Sequence, residues 1–283
     1  MKKNKKIFNI LLNIYRLRHP FKNIWKEFGF YEMFKLCFYN LIWNREKIIY
    51  LKNLNLYVKP NFFLITTLIE IYNRELYKNL SGLNSVLDLW AYIWESSIYL
   101  AKNNKKVVAF EPSIEKFKLL EKNIKLEKNI QWFNFAVVDN EKIQSLTFHE
   151  RDPFDFCSSS VNEKKLTKEV TVVCKDIFTI LDKYDFDWLK MDIEWWEFPI
   201  VKSLVDNNKF PFKKWVVEFH FAWENIKSKI EQFHDFCIYL NKNNYDIRLF
   251  DNDNILISLD NQYIWINKNL LYLNLEFIKK DEK

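Results

Sequence analysis

From Ser85 onward the chain alternates short apolar runs with stretches of helical periodicity, and that alternation leaves few folds open. Ser85–Trp90 (SVLDLW) reads as a buried strand, and Glu95–Asn103 as the helix after it. Lys106–Glu111 (KVVAFE) is a second strand, followed by helical spacing through Phe117, Leu120 and Ile124. Ile130–Val138 reads as a third strand, Val170–Val173 as a short extra one, and Phe178–Lys183 as a helix. Trp188–Ile193 (WLKMDI) and Trp215–His220 (WVVEFH) are the fourth and fifth main strands. A helix follows each, one running through Val205 and the other near Ile226–Leu240. Tyr245–Asp251 and Tyr263–Asn267 close the series as a final hairpin. Parallel strands need helical crossovers. The pattern therefore predicts an α/β fold: a Rossmann-like, seven-stranded, mostly parallel sheet with an antiparallel C-terminal strand.

Residues 1–80 differ in character. They read as a mainly helical N-terminal segment with one strand at Leu54–Val58, and we place the boundary to the main domain, 81–283, near Ser81-Gly82. Residues 1–60 carry 13 Lys/Arg against 3 Asp/Glu, whereas the remainder carries 30 against 34. A mildly acidic main body argues against a nucleic-acid partner. In residues 1–26, Ile7, Ile10, Leu11 and Ile14 form one apolar stripe on a basic helix. Packing on the main domain is the first reading, peripheral contact with an anionic membrane the second, and a docking arm the third. The stretch lacks a small-residue cleavage site, so it is not read as a signal peptide. No run of 18 apolar residues predicts a spanning helix. Cys37, Cys157, Cys174 and Cys237 have no paired spacing, so reduced thiols and a cytoplasmic setting are expected.

In open α/β sheets, ligands bind beyond the carboxyl ends of the strands. The residues found there are Asp88, then Glu111-Pro112-Ser113, then Asp192-Ile193-Glu194, then Glu218-Phe219-His220. Four acidic strand ends make a carboxylate-lined crevice. Glu111 follows Asp88 by 23 residues, the place where an acidic side chain receives ribose hydroxyls. A bare helix cap is the plainer alternative, although Ser113 already offers one.

These segments resemble the FkbM-type family of S-adenosylmethionine-dependent class I methyltransferases over roughly residues 83–268. The family pattern V-L-D-L-G-A-N-I-G-E-S-S is met by VLDLWAYIWESS at Val86–Ser97. F-E-P-S is met unchanged at Phe110–Ser113, L-K-M-D-I-E-G-x-E at Leu189–Glu197 with Trp195 for glycine, and E-F-H at Glu218–His220. The resemblance implies S-adenosyl-L-methionine as cofactor, held by Asp88, Trp90, Ala91, Trp94, Glu111, Pro112 and Ser113. It implies O-methylation of a hydroxyl on a sugar, glycan or small natural product. His220 would serve as base, being able to do so near neutral pH, with Asp192 and Glu194 orienting the acceptor or taking the proton themselves. A structural histidine and a helix-capping Asp192 are the plainer alternatives. A metal on Asp192, Glu194 and His220 ranks below the acid–base reading, and no metal is expected. Ser158–Ser160, with Asp152 and Asp155, form a polar loop that reads as solvent-facing or as an acceptor wall.

The departures from the pattern share one direction. Positions 90, 94 and 195 carry Trp where the family has Gly, and Tyr92 stands for Asn. The whole chain has 2 Gly and 11 Trp, whereas about 20 glycines would be ordinary for this length. Some bacterial lineages read the codon UGA as glycine, and a different code reads it as tryptophan. Translation with the wrong code would create both anomalies at once. Trp90, Trp94 and Trp195 are therefore expected to be glycines, with Trp43, Trp215 and Trp223 as weaker candidates. Trp196 and Trp265 read as true aromatics. Were the tryptophans real, Trp90 and Trp94 would fill the cofactor site and leave a non-catalytic binding or scaffold protein. A nicotinamide-dependent oxidoreductase is disfavoured, because even with glycines restored the turn lacks G-x-G-x-x-G.

Overall fold

The computed structural model describes residues 26–280, apart from 27, 43–47, 53, 61, 74–75, 83, 151–167, 194–195, 222–225, 251–255 and 258–271. The chain divides into two compact units, Met1–Asn79 and Leu80–Lys283.

The first unit contains helix α1 (Phe30–Ile42), an antiparallel pair of strands β1 (Ile49–Leu51) and β2 (Leu56–Val58), and helix α2 (Phe62–Leu68). A π-turn, Ile69–Asn73, continues α2. The connection between β1 and β2 turns through Asn55 at φ 55°, a conformation that asparagine tolerates. Of the elements here, β1 was not apparent in the sequence. The basic residues 1–25 lie outside the described residues.

The second unit begins with β3 (Ser85–Asp88), α3 (Glu95–Asn103), β4 (Lys106–Phe110), α4 (Ile114–Ile124) and β5 (Ile130–Phe133). Next come β6 (Ala136–Val138), β7 (Ser145–Glu150), β8 (Lys168–Asp176) and α5 (Ile177–Lys183). The rest is β9 (Trp188–Met191), α6 (Glu197–Asp206), β10 (Lys214–His220), α7 (Ile226–Lys242), β11 (Tyr245–Phe250), β12 (Leu256–Ile257) and β13 (Tyr272–Lys279). The main sheet has the order β5-β4-β3-β9-β10-β13-β11-β12. Its strands from β5 to β10 are parallel, and β13 is antiparallel to both neighbours. The expected mostly parallel sheet is thus present, with a two-residue edge strand β12 added. Val86, Leu87, Val107, Val108, Ala109, Leu189 and Val217 are fully buried, as expected of strands covered on both faces.

The first strand of the expected closing hairpin is present as β11, paired antiparallel with β12 and β13. Strand β13 inserts between β10 and β11 instead of extending the edge, pairing with β10 from Lys214↔Ile278 to His220↔Tyr272. The helical crossover through α7 carries β11 one position beyond β10, and the last strand satisfies both facing ladders. Tyr263–Asn267 lies outside the described residues.

The expected third strand divides into β5 and β6. Asn134 ends the first part by donating from Nδ2 to the carbonyls of Glu111 (2.8 Å) and Pro112 (3.0 Å). Strand β6 joins a separate three-stranded sheet with β8 and β7. The short strand expected at Val170–Val173 is nine residues long, since β7, which reads as polar in sequence, gives it a partner. Two helices start on side-chain caps visible in the sequence: Ser113 accepts from Lys116 N and Asp176 from Thr179 N. Among the described residues, no helix is long and apolar enough to cross a membrane.

Candidate active site

The parallel strands β3, β4, β9 and β10 bring their acidic ends to one edge of the sheet. At the end of β3, Asp88 is fully buried. Its Oδ2 accepts from the hydroxyls of Ser96 (2.7 Å) and Ser97 (2.8 Å), and its Oδ1 faces Lys190 Nζ at 3.4 Å. Asp88 therefore ties the turn to the start of α3. Glu111, at the end of β4, is also fully buried. Its Oε2 accepts from Tyr92 N (3.0 Å) and its Oε1 from Ser113 N (2.8 Å). Ser113 uses its hydroxyl to cap α4, Pro112 is buried, and Ala91 N donates to Phe110 O at 2.9 Å.

The turn after β3 carries the aromatic side chains of Trp90, Tyr92 and Trp94. Trp90 is 7% exposed, Tyr92 7% and Trp94 1%. The Trp90 ring lies 5.7 Å from that of Phe148, and the buried Lys116 ammonium sits 5.7 Å from the Trp90 ring and 5.2 Å from that of Tyr92. Both carboxylate oxygens of Glu111 are engaged by backbone N–H groups behind them. As the side chains stand, the crevice does not fit a nucleoside such as that of S-adenosylmethionine.

Glu95, the first residue of α3, is buried beside this turn, and its Oε1 has no hydrogen-bond partner. Burial pushes its carboxyl up to about 8, against the opposing pull of backbone N–H groups and Lys190. The folded state thus holds the proton more tightly than the unfolded chain between pH 4.5 and about 8. The stability from this group is complete below that window and is lost as pH rises through it, by up to about 1.4 kcal/mol per pH unit. Glu95→Gln is expected to flatten that decline, measured by urea denaturation at several pH values. Parallel pH curves for the two proteins would show that Glu95 ionises normally.

The ends of β9 and β10 form the other half of the edge. His220 is buried, and its Nδ1 lies 2.9 Å from Glu197 Oε1. Glu197 is fully buried and also accepts from Ile193 N at 3.0 Å. The other imidazole nitrogen, Nε2, faces Asp192 Oδ1 at 4.0 Å and Glu218 Oε1 at 3.9 Å. Three carboxylates, those of Glu197, Asp192 and Glu218, thus surround one imidazole. Lys190 joins the two halves, donating to Trp90 O at 2.7 Å and lying 3.9 Å from Asp192 Oδ2.

The structure thus brings His220 and Asp192 together, while Glu194 and Trp195 lie outside the described residues. Sequence reasoning missed Glu197. It ends the quoted strand-four pattern and opens α6, where a carboxylate is favoured at a helix N-terminus, and that placement was the available signal. Asp192, Glu197 and His220 each offer one ligand atom within 4.8 Å of the others. The polar loop around Ser158–Ser160 lies outside the described residues.

The model of the "Methyltransferase FkbM domain" family matches residues 78–247, more than half of the chain. Similar solved structures include an FkbM methyltransferase from Methylobacillus flagellatus KT, at 14% identity and TM-score 0.40, covering 75% of this chain and 52% of that one. A putative rRNA methylase from Clostridium thermocellum has 10% identity and TM-score 0.43, covering 72% and 92%. A putative methyltransferase from Streptococcus mutans in complex with SAH has 10% identity and TM-score 0.41, covering 72% and 96%. Comparison with curated protein sequences finds no significant match.

Proposed function

We propose that this chain, which belongs to the FkbM methyltransferase family, O-methylates a hydroxyl of a sugar, glycan or small natural product with S-adenosylmethionine as donor. The observation that carries this reading is the 2.9 Å contact between His220 Nδ1 and Glu197 Oε1. A proton on Nδ1 donated to Glu197 makes Nε2 the unprotonated nitrogen, the one that would accept the acceptor's hydroxyl proton. Glu197 holds the ring in that tautomer. Asp192, Glu218 and Glu197 stabilise the imidazolium once the proton has moved. Asp192 is also placed to receive a second hydroxyl of a polyol, which suits a sugar.

A methyl-transfer assay with protein made under the gene's own genetic code tests this reading. S-adenosylhomocysteine is expected to accumulate with hydroxyl-bearing glycans or natural products as acceptors, in the presence of EDTA. Turnover only with amines or RNA would overturn it. Loss of turnover in EDTA with recovery on Mg²⁺ would instead make Asp192, Glu197 and His220 a cation site. A second reading, a non-catalytic binding or scaffold protein, draws on the near-complete burial of Trp90 and Trp94.

A further inference from the structure

The backbone of the turn after β3 is built for residues other than those it carries. Seven described residues have positive φ: Gly29, Gly82, Asn55, Asn208, Asn244, Tyr92 and Trp94. The first five are the types that adopt such angles readily. The two bulky ones both lie in this turn. Trp94 has φ 159° and ψ −22°, where an L side chain is strained at a cost of about 1–3 kcal/mol and glycine is not. It precedes α3 as its cap and contributes no side-chain hydrogen bond there.

Space gives the same answer. The Trp90 and Trp94 side chains are both buried in the turn that follows Asp88, at 7% and 1% exposure, with the Trp90 ring against Phe148 and Lys116, and each indole adds roughly 200 Å² of surface. The backbone of residue 90 is nonetheless in use, its N–H reaching Asp88 Oδ1 (3.4 Å) and its carbonyl receiving Lys190. Other tryptophans behave differently. Trp215 lies in β10 among the rings of Phe210, Phe212, Phe236 and Phe277, at centroid distances of 4.2–6.1 Å. Trp188 is fully buried in β9. Both occupy extended strand positions where aromatic residues are favoured. Trp215, the weaker glycine candidate, is therefore not included in the inference.

We infer that positions 90 and 94 are glycine in the working enzyme, encoded by UGA and written as tryptophan under a code foreign to the gene. Glycine at both positions relieves the backbone at 94 and opens the crevice that Asp88 and Glu111 frame. The inference rests on the methyltransferase reading for its account of what that crevice holds. Trp195 lies outside the described residues and is decided by its codon alone.

Two measurements test the inference, and the first does not depend on folding or cofactor. The gene is expected to carry UGA at codons 90 and 94, and peptides of the protein isolated from its native cells are expected to carry glycine there. UGG at either codon overturns the inference at that position. The second is calorimetric titration of S-adenosylmethionine against the chain as written and its W90G/W94G variant. The variant is expected to bind about 100-fold more tightly or better, with an unchanged circular dichroism spectrum. Equal affinity of the two proteins overturns the claim that the indoles block the crevice. UGA codons combined with a folded variant that does not bind would uphold the glycines and count against the donor reading.

Discussion

Replacing His220 by alanine in the W90G/W94G background is expected to lower kcat for methyl transfer by about 10²–10⁴-fold. Acceptor KM should change little. The imidazole has one nitrogen on the buried carboxylate of Glu197 and the other turned toward Asp192 at the strand ends. Its loss removes the proton acceptor but leaves the cradle of Asp88 and Glu111 untouched, so S-adenosylmethionine affinity should also persist. Glu197→Gln separates positioning from mere structure. The amide can still meet the ring, but a neutral partner no longer favours imidazolium, so the acid limb of the kcat/KM profile should move to lower pH. Rescue by Glu197→Asp should be partial. A His220→Ala enzyme with full kcat would transfer the base role to Asp192, and an unmoved acid limb in Glu197→Gln would reduce Glu197 to a packing residue.

Lys190→Met is expected to be the most destabilising single change at the site, by about 3–5 kcal/mol at neutral pH. Burial alone would lower the Lys190 pKa, but Asp88, Asp192 and Glu218 outweigh that penalty, and the net direction is upward. The ammonium is therefore charged and compensates the fully buried Asp88 carboxylate. Removing it leaves that charge unpaired in a dry environment. The double variant D88N/K190M, which deletes both charges, should recover a large part of the loss. Denaturant midpoints at pH 7 measure both effects. A single variant within about 1 kcal/mol of the parent would show that Ser96 and Ser97 alone satisfy Asp88.

Much of this architecture is readable along the chain. The parallel strands announce themselves as apolar runs, because both of their faces are buried and no polar alternation interrupts them. Asp88, Glu111, Asp192 and His220 follow from that reading, since parallel strands deliver their carboxyl ends to one edge. Strands β7 and β13 escaped notice, for β7 is polar and exposed in part, and the closing strand was read at Tyr263–Asn267, ahead of β13 at Tyr272–Lys279. Asn134 looked like the middle of a strand, yet its side chain turns back to Glu111 and Pro112 and ends the pairing. Ser113, expected both as a helix cap and among the cofactor residues, caps α4 with its hydroxyl.

The sequence by itself determined the fold class, the strand-end carboxylates and the conflict between tryptophan and a glycine turn. The first two follow from local periodicity and spacing, and the third from the resemblance to the FkbM motif. Only the tertiary structure decided that Glu197 holds His220, that β13 inserts beside β10, and that Lys190 links Trp90 to the β9 edge. Those outcomes depend on groups distant in the chain, such as the pair of residues 100 positions apart that joins Lys190 to Trp90 O. Tertiary structure also sorted the tryptophans. Trp94 holds φ 159° at the start of α3, whereas the ring of Trp215 is held by four aromatic neighbours.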